Sequence, residues 1–170
     1  DESLQQRVAN YKRNLKREVK KSEQEKFKLR CDVAKANISN LSNRLNSVQK
    51  KRNTAYGNIS NKLEKMYNRL EAQAFETSKL KGNLDQLYAK MASFSTEVKS
   101  YKQAVDDMKV IDCKSDPAAF IAALESARKS QSELVTLVDD IREFITNTIK
   151  PALLQVKEQI DAGQTVGGQR

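Results

Sequence analysis

Few side chains in this sequence combine into a reactive set. The two cysteines, Cys31 and Cys113, stand far apart with no CxxC pair and no metal-ligand spacing, and the chain has no histidine. A zinc site would have to be built from carboxylates alone, so none is expected. The cysteines are read as reduced thiols on helix surfaces or seams, with a disulfide between two copies as the alternative. The carboxylate pairs Asp106-Asp107 and Asp139-Asp140 are adjacent in sequence. On a helix that sends them to different sides, so they read as solvated surface and not as a facing acid and base. No nucleophile-base pair and no Gly-rich phosphate loop is present. The expectation is a protein that is not an enzyme and uses neither cofactor nor metal.

The chemistry that remains is electrostatic. The net charge of +9 is uneven: residues 1–52 hold 15 Lys/Arg against 6 Asp/Glu, while residues 53–170 hold 16 of each. Within the flank 11–30 the positive side chains are Lys12, Arg13, Lys16, Arg17, Lys20, Lys21, Lys26, Lys28 and Arg30. They lie all round a helix without interleaved aromatic residues for stacking bases. A solvated flank or docking to an acidic neighbour is therefore expected first, an anionic membrane surface second and nucleic acid last. Three Asn-x-Ser sequons, at Asn37, Asn40 and Asn58, would matter only in a secreted protein and are read as chance.

The elements that carry these residues follow from composition and period. Only 38% of the chain is hydrophobic, its mean hydropathy is −0.72, and it has five Gly and two Pro. Such turn-poor, charge-rich composition favours long helices over a thick globular core. No run reaches the ~18 apolar residues of a membrane span, and the opening residues do not form a signal peptide, so a cytoplasmic protein is expected. Ile59, Leu63, Met66, Leu70, Leu80, Leu84, Leu87, Met91, Phe94, Val98, Tyr101 and Val105, with Gln73 and Thr77 between Leu70 and Leu80, recur at steps of 3 and 4. That period predicts a coiled-coil seam, to be covered by a helix of the same chain or of a second copy. Gln73, Thr77 and the small Ala72 and Ala74 soften it.

The fold class expected is all-α: one long helix over 1–112, then a second over 117–162 folding back antiparallel, in an elongated homodimer. The long helix is expected to run through Gly57, with a hairpin there as the alternative. Asp116 or Ser115 followed by Pro117 predicts a capped start for the second helix. That helix would pack through Phe120, Leu124, Leu134, Val138, Ile141 and Ile145, kink near Pro151 and give way to a flexible end at 163–170.

This layout resembles the coiled-coil region of tripartite-motif ubiquitin ligases over roughly residues 10–145. The stretches that carry the likeness are Val48-Gln49-Lys50-Lys51 and Asp116-Pro117-Ala118-Ala119-Phe120-Ile121. The resemblance implies an antiparallel homodimer that spaces attached domains; the zinc domains of that family are absent here, so it implies no ligase activity. The functional expectation is thus a non-catalytic oligomerisation scaffold for protein partners. Two alternatives stay open: a three-helix dimer similar to BAR domains, touching anionic lipid through the basic flank, and a helical pore-forming toxin subunit, for which the best insertion candidate, Ala118 to Leu124, is short.

Overall fold

Every regular element among the described residues is helical. In the computed structural model these residues are 2–73, 75 and 77–167, with side chains through 162. The order is α1 (Leu4–Asn14), α2 (Lys21–Lys28), α3 (Cys31–Ala72), α4 (Ser78–Val110), α5 (Pro117–Phe144), a π-helical turn (Ile145–Ile149) and α6 (Lys150–Gly167). The all-α class expected from the sequence is what the chain adopts. The single helix over 1–112 is not, and each break in it has a local cause.

The first break follows α1. Lys12/Lys16, Arg13/Arg17, Lys16/Lys20 and Arg17/Lys21 are like charges four residues apart, each of which would destabilise a continuing helix by about 0.2–0.5 kcal/mol. Leu15 is extended at the C-cap, and the chain stays non-helical to Lys20. A tight turn at Leu29-Arg30 then separates α2 from α3. Gly57 lies inside α3 without a break, so the boundary falls at the polar soft spot instead. There the Phe75 amide donates to the Leu70 carbonyl at 3.1 Å, a bond that closes a helix C-terminus, and α4 starts beyond Thr77. Ala74 lies outside the described residues.

The chain divides into two compact units. Unit 1 comprises Asp1–Arg52 and Ser95–Val135. In it α5 folds back along the C-terminal half of α4, with Phe120, Ala123 and Ala127 joining Tyr101, Val105, Met108 and Ile38 in one cluster. Leu4, Val8 and Tyr11 of α1 and Phe27 of α2 pack on this cluster, as do Leu124 and Leu134. Phe27 and Phe120 meet with ring centroids 5.3 Å apart. Small side chains at Ala119, Ala122, Ala123 and Ala127, all nearly fully buried, leave room for these rings. The start of α5 is fixed by Asp116, whose Oδ1 accepts the Ala119 amide at 2.9 Å, with Pro117 in the first helical position.

Unit 2 comprises Asn53–Phe94 and Thr136–Arg170. Leu63, Leu70, Leu80, Leu84, Leu87, Phe94, Ile141 and Ile149 form its buried apolar set. Tyr56 meets Phe94 edge-on at 5.4 Å, and Lys90 Nζ sits 5.6 Å from the Phe144 ring centre. Ahead of Pro151 the helix widens into the π-helical turn. Proline has no N–H to donate and its ring crowds the carbonyl four residues back, and the wider turn accommodates both. Helix α6 continues to Gly167, where a flexible end had been expected from 163. A lone Gly163 costs only about 1 kcal/mol in a helix. Residues 168–170 lie outside the described set.

Of the twelve seam residues, Leu63, Leu70, Leu80, Leu84, Leu87, Phe94, Val98, Tyr101 and Val105 are buried within one chain, while Ile59, Met66 and Met91 are half-buried. Burying each such side chain stabilises the fold by about 1.5–3 kcal/mol. The chain's own helices supply that cover.

Candidate anion-binding surface

Two features of unit 1 set the geometry of the basic flank. The first is covalent: Cys31, at the start of α3, is bonded to Cys113 in the α4–α5 connection, with Cα atoms 5.7 Å apart. Both cysteines are buried. This corrects the expectation of two reduced thiols. Their separation of 82 residues hid the pairing, since no short-range spacing announces it. Around the bridge, Lys114 Nζ pairs with Asp32 at 2.9 Å and Lys35 Nζ donates to the Lys109 carbonyl at 3.1 Å.

The second is ionic. Asp107, read from the sequence as solvated, is 1% exposed. Its Oδ2 accepts from Arg7 Nε at 2.8 Å and from the Tyr11 hydroxyl at 2.7 Å, and its Oδ1 from Arg7 Nη2 at 2.7 Å and Gln103 Nε2 at 3.0 Å. Every acceptor site of the carboxylate is filled. Burial alone would raise its pKa, but the donors Arg7, Tyr11 and Gln103 outweigh that and hold it below the usual carboxylate range. Burial, followed by the bond to Asp107, pushes the Tyr11 phenol well above its ordinary value. A carboxylate so saturated has no free lone pair to act as a base. It clamps α1 onto α4. Its neighbour Asp106 points elsewhere and pairs with Lys109 at 2.7 Å, while Asp139 pairs with Arg142 at 3.1 Å. Helix α1 is further set by a reciprocal cap, Ser3 Oγ accepting the Gln6 amide and Gln6 Oε1 accepting the Ser3 amide. The S-x-x-Q spacing ahead of Leu4 could have announced that cap; nothing local announces the partners of Asp107, about a hundred residues away.

These constraints split the basic flank. Lys12 pairs with Asp116 at 2.8 Å, Lys28 with Glu25 at 2.8 Å, and Arg17 grips both oxygens of Glu23 at 2.8 Å while lying 3.7 Å from Glu125. Arg17 holds the Glu23 carboxyl below its usual range. Arg13 donates to Asn10. Lys16, Lys20, Lys21, Lys26 and Arg30 are exposed and make no ion pair among the described residues. Lys16 and Lys20 stand in the non-helical stretch between α1 and α2, where Gln24 Nε2 donates to the Val19 carbonyl at 3.0 Å, Lys21 and Lys26 on α2, and Arg30 in the turn after it, so the five share one short segment of unit 1. A furrow of about 650 Å³ adjoins it, lined by Tyr11, Lys16, Glu97, Ser126, Lys129 and Glu133 among others. Its opposite charges offset each other, so the furrow itself offers no net attraction to an anion.

Large apolar side chains also stand free near the bridge: Leu29 is 88% exposed, Val33 66% and Val110 66%. No described helix is long and apolar enough to cross a membrane. Set beside known proteins, the chain matches no family model, no curated protein and no solved structure.

Proposed function

We propose that this chain is a non-catalytic helical binding module that works in an oxidising compartment and holds an anionic surface against its N-terminal corner. The observation that carries the reading is the division within the basic flank. Lys12, Arg17 and Lys28 are taken up by carboxylates of the chain, whereas Lys16, Lys20, Lys21, Lys26 and Arg30 remain exposed and unpaired among the described residues. Five free cations within residues 16–30 give that corner a positive potential that draws polyanions. The Cys31–Cys113 bond supports the compartment, since disulfides persist where thiols are not kept reduced. The expectation of a cytoplasmic protein rested on the lack of a span and of a signal peptide in the sequence, and this reading departs from it.

Anionic phospholipid is the surface we test first. Vesicles containing phosphatidylserine should sediment the protein at low salt and release it as salt rises, and neutral vesicles should not. With about 1 kcal/mol per charge and tenfold per 1.4 kcal/mol, replacing all five cations by Ser should weaken binding roughly a thousandfold. Wild-type protein that ignores acidic vesicles, heparin and duplex DNA alike would sink the reading.

One observation favours a scaffold reading as the second: Leu29, Val33 and Val110 are exposed apolar side chains flanking the bridge, and a second copy would cover them. Equilibrium sedimentation would then report a dimer that Leu29→Asp dissociates.

A further inference from the structure

The bridge between Cys31 and Cys113 removes the reason for treating the three sequons as chance. Resting on the oxidising-compartment reading above, we propose that α3 carries N-linked glycans, at Asn58 and at one of Asn37 and Asn40. All three asparagines are exposed, and none of their side chains makes a hydrogen bond among the described residues. The buried side chains of the same stretch are Ile38 and Ser42. On a helix of 3.6 residues per turn, position 40 falls opposite 38 and 42 and position 37 on the flank of that face, both with exposed side chains, so a sugar at either can point away from the core.

The transfer is balanced by a lipid-linked oligosaccharide donor. The Asn Nδ2 forms a bond to C1 of the first sugar, the C1–O bond to the lipid diphosphate breaks, the diphosphate keeps the electron pair, and the amide proton passes to a base of the transferase. Such an enzyme must also engage the sequon hydroxyl. Here the three sites differ. Ser39, the hydroxyl for Asn37, is exposed in the folded chain. Ser42 and Ser60 are 3% and 8% exposed, the first bonded to Lys109 Nζ at 2.6 Å and the second donating to the Tyr56 carbonyl at 2.9 Å. Asn40 and Asn58 are therefore acceptors only before α3 packs, whereas Asn37 remains one afterwards. Asn37 and Asn40 are about one turn apart, so a first bulky sugar blocks the second.

The test is to secrete the full chain from a eukaryotic cell and treat it with a peptide-N-glycosidase in heavy-oxygen water. The proposal expects loss of mobility reversed by the enzyme, with labelled aspartate mapped by mass spectrometry to 58 and to 37 or 40. Asn58→Gln should remove one step of the ladder, and the double variant Asn37→Gln/Asn40→Gln the other. Site mapping on the wild-type chain decides the matter even where a variant fails to be secreted. Secreted protein that contains the Cys31–Cys113 bond but no sugar overturns the proposal and leaves the compartment reading standing. Free thiols in the secreted protein overturn that reading instead.

Discussion

Unit 1 and unit 2 are both helical, yet they are held by different means. Unit 1 has the disulfide, the buried Asp107 clamp and ion pairs joining separate elements, such as Lys12–Asp116 and Lys114–Asp32. It also carries 21 basic against 13 acidic residues, net +8, where unit 2 has 10 against 9, net +1. Unit 2 relies on its apolar stripe and interrupts it with the buried polar residues Ser60, Thr77 and Asn83. It also contains Gly57 and Gly82 inside helices. The lesson is that a unit concentrating like charge needs long-range tethers, and unit 1 has them where its charge is greatest. Unit 2 has little repulsion to overcome and tolerates a weaker stripe.

The largest expected effect removes the covalent tether. Replacing Cys31 and Cys113 by Ser opens a loop of 82 residues, which in the chain-entropy view costs about 4–5 kcal/mol. Thermal unfolding should show unit 1 falling below unit 2; equal loss of amide protection in both units would break the comparison. Next comes Asp107→Ala, which leaves Arg7 and Tyr11 facing a buried void and should cost about 3–4 kcal/mol. Hydrogen exchange should rise through Leu4–Asn14 well before it rises in α3.

Acid should act in the same direction. Asp107, Asp112 and Asp116 all lie in unit 1 with depressed folded-state pKa values. For Asp112 the main cause is the Lys114 amide; for Asp116 burial is outweighed by Lys12 and the Ala119 amide. A depressed carboxylate stabilises the fold above its unfolded value, and that contribution disappears as pH falls through the folded value. Unit 1 should therefore loosen below the ordinary carboxylate range while unit 2 holds. At the alkaline end Tyr11, raised by burial and by Asp107, contributes stability below the ordinary phenol value that is lost as pH climbs through its folded value. Tyrosine absorbance followed alongside circular dichroism reads both limits.

The smaller effects strengthen unit 2. The Asn83 side-chain nitrogen is buried without a partner among the described residues, so Asn83→Leu should stabilise by about 1–2 kcal/mol. Gly57→Ala and Gly82→Ala meet open space and should each add about 0.5–1 kcal/mol. A fall in melting temperature from any of these three would mean that unit 2 is packed more tightly than its burial pattern implies.

What the sequence disclosed tracks the range of the interaction. A 3-4 apolar period and the Asp116-Pro117 start are written in neighbouring residues, so the helical class and the start of α5 were legible. The end of α1 was written there too, in four like-charge pairs, but an apolar stripe through Leu15 and Val19 masked it. The soft spot at Gln73 and Thr77 was visible as weakness and not recognised as a break. Cys31 with Cys113 and Arg7 with Asp107 join positions 82 and 100 apart. No local pattern encodes either: the first depends on how the start of α3 meets the end of α4, the second on how α1 comes to lie on α4. The unpaired subset of the basic flank was legible only in part: Lys28 and Arg17 pair with the nearby Glu25 and Glu23, but Lys12 is taken up by Asp116, far along the chain.

The spacing of the bridge also sets a timetable for biosynthesis. At about 5–20 residues per second, the 82 positions between its sulfurs take roughly 4–16 s to translate. During that wait the first thiol is exposed to whatever oxidants and stray cysteines surround the growing chain. A cell making this protein must therefore escort a lone sulfhydryl for seconds per molecule, and the yield of correctly joined product should respond to elongation speed as well as to redox poise.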